Sequence, residues 1–177
     1  GIESLKALKS SLAVRAKIAS SLRRAFEAAA FIETETPVGI FAPAAEEYIE
    51  APKAASFFLR TSPELQMKRL LAAGMERIYQ LGPCFRAGEN GRRHRPEFTM
   101  LEYYMTGADY LELLDFTKGV LASICSDLYG SHRFRFGENT IDIDKLEIIP
   151  VREAFRRFAN EDADRCAEED ARFEFVL

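Results

Sequence analysis

The stretch "YQLGPCFRAGENGRRHRPEFTMLEYY", residues 79–104, decides how this chain is read. Two runs rich in aromatic and branched residues flank a bend crowded with Gly, Arg and a His. That is the pattern of two strands, antiparallel if the loop is a hairpin. Alternate residues of a strand share a face. Phe98, Met100, Glu102 and Tyr104 therefore point one way, and Thr99, Leu101 and Tyr103 the other. The second set is apolar enough to pack beneath a helix layer. The first combines an aromatic ring, a carboxylate and a phenol. Burying Glu102 alone is costly, and a cationic ligand offsets that cost.

Arg86 sits where the first strand gives way to the loop, and it can project over the same sheet face. A guanidinium fixed there matches phosphate or carboxylate oxygens in bidentate fashion. Gly88 and Gly91 let the loop fold back over a ligand. The face can thus hold a base on Phe98, phosphates at Arg86 and His94, and a cation at Glu102. Pattern alone leaves alternatives open. A loop with three or four Arg is more often a solvated bend than a phosphate site, and Glu102 and Tyr104 serve equally as an ion pair and a core phenol.

Outward from the hairpin, residues 3–30 read as one helix, with Leu5, Leu8, Leu12, Ile18, Leu22 and Phe26 near helical spacing. Pro37 ends it, and residues 38–56 read as an irregular connection. "SFFLR" is a short strand. "TSPELQMKRLLAAG" is a helix with Thr61 or Ser62 as cap, Pro63 in its first turn and Gly74 at its end. Residues 108–128 form an amphipathic helix beginning near Asp109. "FRFGENTIDID" is a hairpin turning at Gly137–Asn139, "PVREAFRRFA" is a helix from Pro150, and "FEFVL" opens a further element.

The chain has 177 residues, 47% hydrophobic and 29% charged, which suits one domain with a sizeable core. A net charge of −4 supplies no global positive field for nucleic acid. No run of apolar residues is long enough to span a membrane, and no signal peptide is expected. Cys84, Cys125 and Cys166 are read as reduced thiols of a cytoplasmic protein, and no metal site follows from them.

"FRAGENGRRHRPEFTMLEYY" resembles motif 2 of class II aminoacyl-tRNA synthetases, in the lysyl branch. "FIETETP", around residues 31–37, is similar to motif 1, and "TSPELQMKRLLAAGMERIYQL" resembles the segment between the motifs. The likeness is strong over roughly residues 10–130. It implies an α+β fold, an antiparallel sheet flanked by helices, with 1–177 a single domain forming the N-terminal portion of such a catalytic domain. Motif 2 then occupies about 78–104.

The resemblance assigns roles residue by residue. Arg86 would contact the α-phosphate of ATP and the amino acid carboxylate, as the catalytic residue. His94 would lie near the outer phosphates and Phe98 would stack on adenine. Gly88, Glu89 and Arg95 complete the ATP-binding set. Glu102 and Tyr104 would hold the ε-ammonium of lysine, and Ser62 and Glu64 would face the amino-acid pocket. The chain departs from the pattern at Gly88, where a Glu is usual and Glu89 follows one place later, and at Arg95, where an Asn is usual. Motif 3 and the carboxylates that bind Mg2+ lie outside this chain, so the site is expected to be half built and no metal ligand is assigned.

The family holds two enzyme readings. One is a paralogue that attaches lysine or β-lysine to a lysine of elongation factor P. "TSPE" and the short segment before motif 1 favour it. The other is a lysyl-tRNA synthetase that charges tRNA. A third reading is a catalytically incompetent fragment with a structural or binding role. The family likeness also implies a homodimer.

Overall fold

The structure, a computed structural model, describes residues 2–168. The expected element at "FEFVL" lies outside them. The described residues build an α+β structure, as expected, in two compact units, Gly1–Ile141 and Asp142–Leu177.

The first unit opens with α1 (Ile2–Ala28), followed by the two-residue strand β1 (Ile32–Glu33). The long strands β5 (Arg77–Phe85) and β6 (Glu97–Met105) pair antiparallel over their whole length, with Gln80 opposite Glu102 and Cys84 opposite Phe98. β1 adds to β5 in parallel, giving the order β1-β5-β6. The sheet is therefore mixed at its β1 edge.

Residues 38–56, expected to be irregular, contribute β2 (Gly39–Ile40) and β3 (Lys53–Ala54), which flank β4 (Phe57–Leu59) in a small antiparallel sheet. Strands of two residues carry no readable periodicity. α2 (Glu64–Ala72) follows, and Ser62 Oγ accepts from the Glu64 N–H at 3.1 Å across the Pro63 start. α3 (Tyr110–Tyr129) begins with a capping box, Asp109 accepting from the Glu112 N–H and Glu112 accepting from the Asp109 N–H. It ends at Gly130, whose φ of +67° is the left-handed turn that closes many helices. β7 (Arg133–Phe136) and β8 (Asn139–Asp142) form the expected hairpin.

The core lies on one face of the β5–β6 hairpin. Phe26 of α1, fully buried, meets Tyr79, Phe31, Tyr103 and Phe116 at ring separations of 4.6, 5.0, 5.1 and 5.1 Å. Leu101, Tyr103 and Met105 pack against this cluster. The alternation read from the sequence is thus realised, with the apolar face of β6 lying under the helices.

In the second unit a 3-10 turn (Ile143–Lys145) precedes α4 (Val151–Ala154). The helix expected over 150–159 does not stay α-helical. It widens into a π-helical turn over Phe155–Ala159 and stops at Asn160, φ +56°. α5 (Ala163–Glu168) completes the described residues. Cys84, Cys125 and Cys166 are unpaired and buried. Among the described residues, no helix is long and apolar enough to cross a membrane.

Candidate active site

The other face of the hairpin carries the chemistry. The register puts Gln80, Gly82 and Cys84 of β5 beside Phe98, Met100, Glu102 and Tyr104 of β6. At the amino-terminal side of α2, Ser62 Oγ donates to Glu102 Oε2 at 2.5 Å, and Tyr104 OH donates to Glu102 Oε1 at 2.5 Å. Each carboxylate oxygen is thus held by a neutral hydroxyl. No Lys or Arg reaches Glu102 among the described residues. Burial pushes the Tyr104 phenol up, and its bond to Glu102 adds to the rise. The tyrosine therefore stays a donor through the physiological range.

Glu64 stands at the first turn of α2 and its Oε1 accepts from Lys68 Nζ at 2.5 Å. Its charge also reaches the Tyr104 hydroxyl. Ser62, Glu64, Glu102 and Tyr104 are therefore brought together in one cluster. The arrangement presents an oriented anion on a half-buried floor and can accept an ammonium group.

At the far end of the same face Arg86 leaves β5. Its main-chain N–H donates to the Pro96 carbonyl at 2.9 Å, closing the mouth of the loop. Its guanidinium lies over the Phe98 ring, 5.2 Å from the centroid, and Nη1 stands 3.7 Å from Glu89 Oε1. The Nε is shut off from solvent and has no hydrogen-bond partner among the described residues. A buried donor without a partner is costly. The Arg86 side chain keeps 24% of its surface open, so the outer guanidinium N–H groups, rather than the Nε, can meet phosphate or carboxylate oxygens at this end. Gly88, φ +75°, turns the loop in a conformation that favours glycine.

The structure groups Arg86, Glu89 and Phe98 and leaves His94 and Arg95 exposed on the loop. No group of three or more His, Cys, Asp or Glu that could hold a metal ion occurs among the described residues.

Sequence reasoning missed a buried polar network at the β5 side of this floor. Arg60, 2% exposed, donates from Nε to the Pro83 carbonyl at 2.9 Å and from Nη1 to the Thr36 carbonyl at 2.6 Å. Thr36 in turn donates its N–H and its hydroxyl to Gln80 Oε1, at 3.1 and 3.0 Å. A Cβ on Gly82 would come within 2.8 Å of Arg60 Nη2. Burial pushes the Cys84 thiol up, while the charges of Arg60 and Arg86 oppose the rise and Glu102 adds to it. The visible signal was Gly82 inside a strand, a position that often marks close approach of another group.

Comparison with known proteins agrees with this geometry. The pattern of the tRNA synthetases class II (D, K and N) matches residues 4–177. Among curated proteins, the lysine--tRNA ligase of Shewanella denitrificans is 36% identical over 156 residues, 85% of this chain and 31% of that protein. The lysine--tRNA ligase of Dichelobacter nodosus is 36% identical over 155 residues, again 85% of this chain and 31% of that protein. That of Shewanella piezotolerans is 40% identical over 135 residues, 73% of this chain and 27% of that protein. The chain thus spans no more than 31% of the length of these relatives. With a match over nearly the whole length, the chain belongs to the class II tRNA synthetases of the D, K and N group.

Proposed function

We propose that this chain supplies the lysine pocket and part of the ATP site of an enzyme that activates lysine as an adenylate and transfers it to tRNA. The observation that carries the reading is Glu102, whose two oxygens are each fixed by a neutral hydroxyl while no cation meets it among the described residues. A side-chain ammonium neutralises it there and brings the substrate's other end toward Arg86. Glu64 and Ser62 face the amino group. Arg86 binds the lysine carboxylate and the α-phosphate of ATP and stabilises the charge that develops as the carboxylate oxygen attacks phosphorus. Phe98 offers a ring to adenine, Gly88 and Glu89 line its edge, and His94 and Arg95 close with the loop on the outer phosphates. Mg2+ accompanies the ATP, held by residues beyond this set. The chain names of the relatives support tRNA as acceptor.

A second acceptor, a lysine of elongation factor P loaded with lysine or β-lysine, is favoured by one local feature. The sequence Thr61-Ser62-Pro63-Glu64 resembles that paralogue more than the lysyl-tRNA synthetases. The exposed leucines of α1, Leu5, Leu8 and Leu12, supply an apolar face for a homodimer, which sedimentation of the full-length gene product would detect.

The test is ATP–pyrophosphate exchange by the full-length gene product, with lysine and with β-lysine. Exchange that depends on lysine is expected, and exchange with neither sinks the reading. Labelled amino acid is then offered with tRNA or with elongation factor P. Label on tRNA is expected, and label on the protein alone moves the assignment to the second acceptor.

A further inference from the structure

Arg60 is the only charged residue in the buried set among the described residues. Every acceptor that its Nε and Nη1 reach is neutral, namely the carbonyls of Pro83 and Thr36 and the Thr36 hydroxyl at 3.1 Å. A buried cation with no carboxylate beside it is expensive, and a fold that only needed to fill this space would do so with an apolar side chain. Its placement is what distinguishes it. Nη2 lies against β5 at Gly82, where the missing Cβ leaves room. The Arg60 carbonyl accepts from the Phe85 N–H at 2.9 Å, so side chain and main chain grip β5 at Pro83 and at Phe85. The next residue of that strand is Arg86. In the other direction along the chain, Ser62 follows two residues after Arg60 and bonds Glu102.

We propose that Arg60 is a positioning residue that holds Arg86 in register with the Ser62–Glu102 pair. The inference rests on the proposed function, in which those groups hold the two ends of one substrate. Each end keeps its own contacts when the clamp loosens. What is lost is the alignment between them, and alignment of reacting groups is felt in the rate rather than in the binding of either partner.

Steady-state exchange by the full-length gene product tests this through Arg60→Lys, Gly82→Ala and Thr36→Val. Arg60→Lys keeps the charge and loses the planar fork. Its kcat is expected to fall about 10- to 100-fold, with KM for lysine and for ATP within about threefold of wild type. Gly82→Ala leaves Arg60 chemically intact but pushes on its guanidinium, and the same split is expected. Thr36→Val removes one hydroxyl and keeps the carbonyl acceptor, so a smaller fall in kcat is expected in a folded protein. Variants with a lowered denaturation midpoint but wild-type kcat and KM overturn the proposal, as do raised KM values with kcat intact. If the first two variants do not fold, Thr36→Val decides, and an unchanged kcat overturns it. Wild-type protein without lysine-dependent exchange brings down the proposed function and this inference together, whereas active wild type with unaffected variants brings down this inference alone.

Discussion

Tyr103 and Tyr104 are neighbours in β6 and live in opposite worlds. Tyr103 points into the helix layer, where its hydroxyl meets Thr117 Oγ1, and Thr117 donates onward to the Leu113 carbonyl. That chain of bonds is neutral and ends in main chain. Tyr104 points to the other face and gives its proton to the carboxylate of Glu102. The same contrast holds for the whole hairpin. One face is closed by rings around Phe26, and the other carries Arg86 at one end and Glu102 at the other. The strand period of two lets a single β-ribbon be core on one side and a polar, charge-bearing floor on the other. Packing on the helix side holds the backbone steady, so the polar side chains opposite keep their orientations.

The comparison breaks first where the core is cut. Phe26→Ala removes a fully buried ring with four aromatic neighbours and is expected to cost about 3–5 kcal/mol, read from the shift in urea midpoint. An effect below about 1 kcal/mol would show that the helix face is not the scaffold. On the opposite face, Arg86→Ala is expected to slow pyrophosphate exchange by about 100- to 1000-fold in the full-length gene product. Its midpoint should stay near wild type, because the Nε makes no bond and the contacts with Phe98 and Glu89 are partly exposed and weak. Normal exchange in that variant removes the phosphate assignment.

Glu102→Gln sharpens the comparison further. Gln keeps the size and can still accept the Ser62 or Tyr104 hydroxyl, but it removes the charge. Lysine binding is expected to weaken by about 2–3 kcal/mol, measured by titration calorimetry, with ATP affinity little changed. An unchanged lysine Kd would place Glu102 with the structural groups, alongside Tyr103 rather than opposite it.

The two faces were not equally legible in the sequence. The aromatic side followed from alternation over 97–105, which puts Leu101 and Tyr103 against the helices, and from helical spacing in α1, which burial follows at Leu22 and Phe26 but not at the exposed Leu5, Leu8 and Leu12. α3 was readable from its amphipathic spacing and its start near Asp109, whereas the capping box with Glu112 and the close at Gly130 are seen in the structure. On the site face, Glu102, Tyr104, Phe98 and Arg86 were found by the same alternation. Arg60, Thr36 and Gln80 were not, because their bonds join residues 24 and 44 positions apart and no local pattern encodes such a meeting. β2 and β3 were missed because two residues cannot show a period. The π-helical turn at Phe155–Ala159 breaks a pattern that was otherwise good for an α-helix.

The smallest effect concerns Tyr79, whose ring belongs to the core and whose hydroxyl reaches out of it. That hydroxyl donates to Glu33 Oε2 at 3.0 Å, and Glu33 is itself held by Arg23 Nε and Nη2. Burial, then the bond and charge of Glu33, push the phenol up to about 12. An unfolded tyrosine ionises near about 10. The folded state therefore favours the neutral phenol. The stability it contributes is fully present below about pH 10 and is lost as pH rises from there toward 12. The loss is on the order of 1–2 kcal/mol. Tyr79→Phe keeps the ring 4.6 Å from Phe26 and removes the ionising group. Between pH 10 and 12 its urea midpoint should fall less steeply than that of wild type, the remaining tyrosines being common to both. Identical slopes would mean that Tyr79 ionises without disturbing the core, and the helix face would then be less closed at its β1 edge than its packing implies.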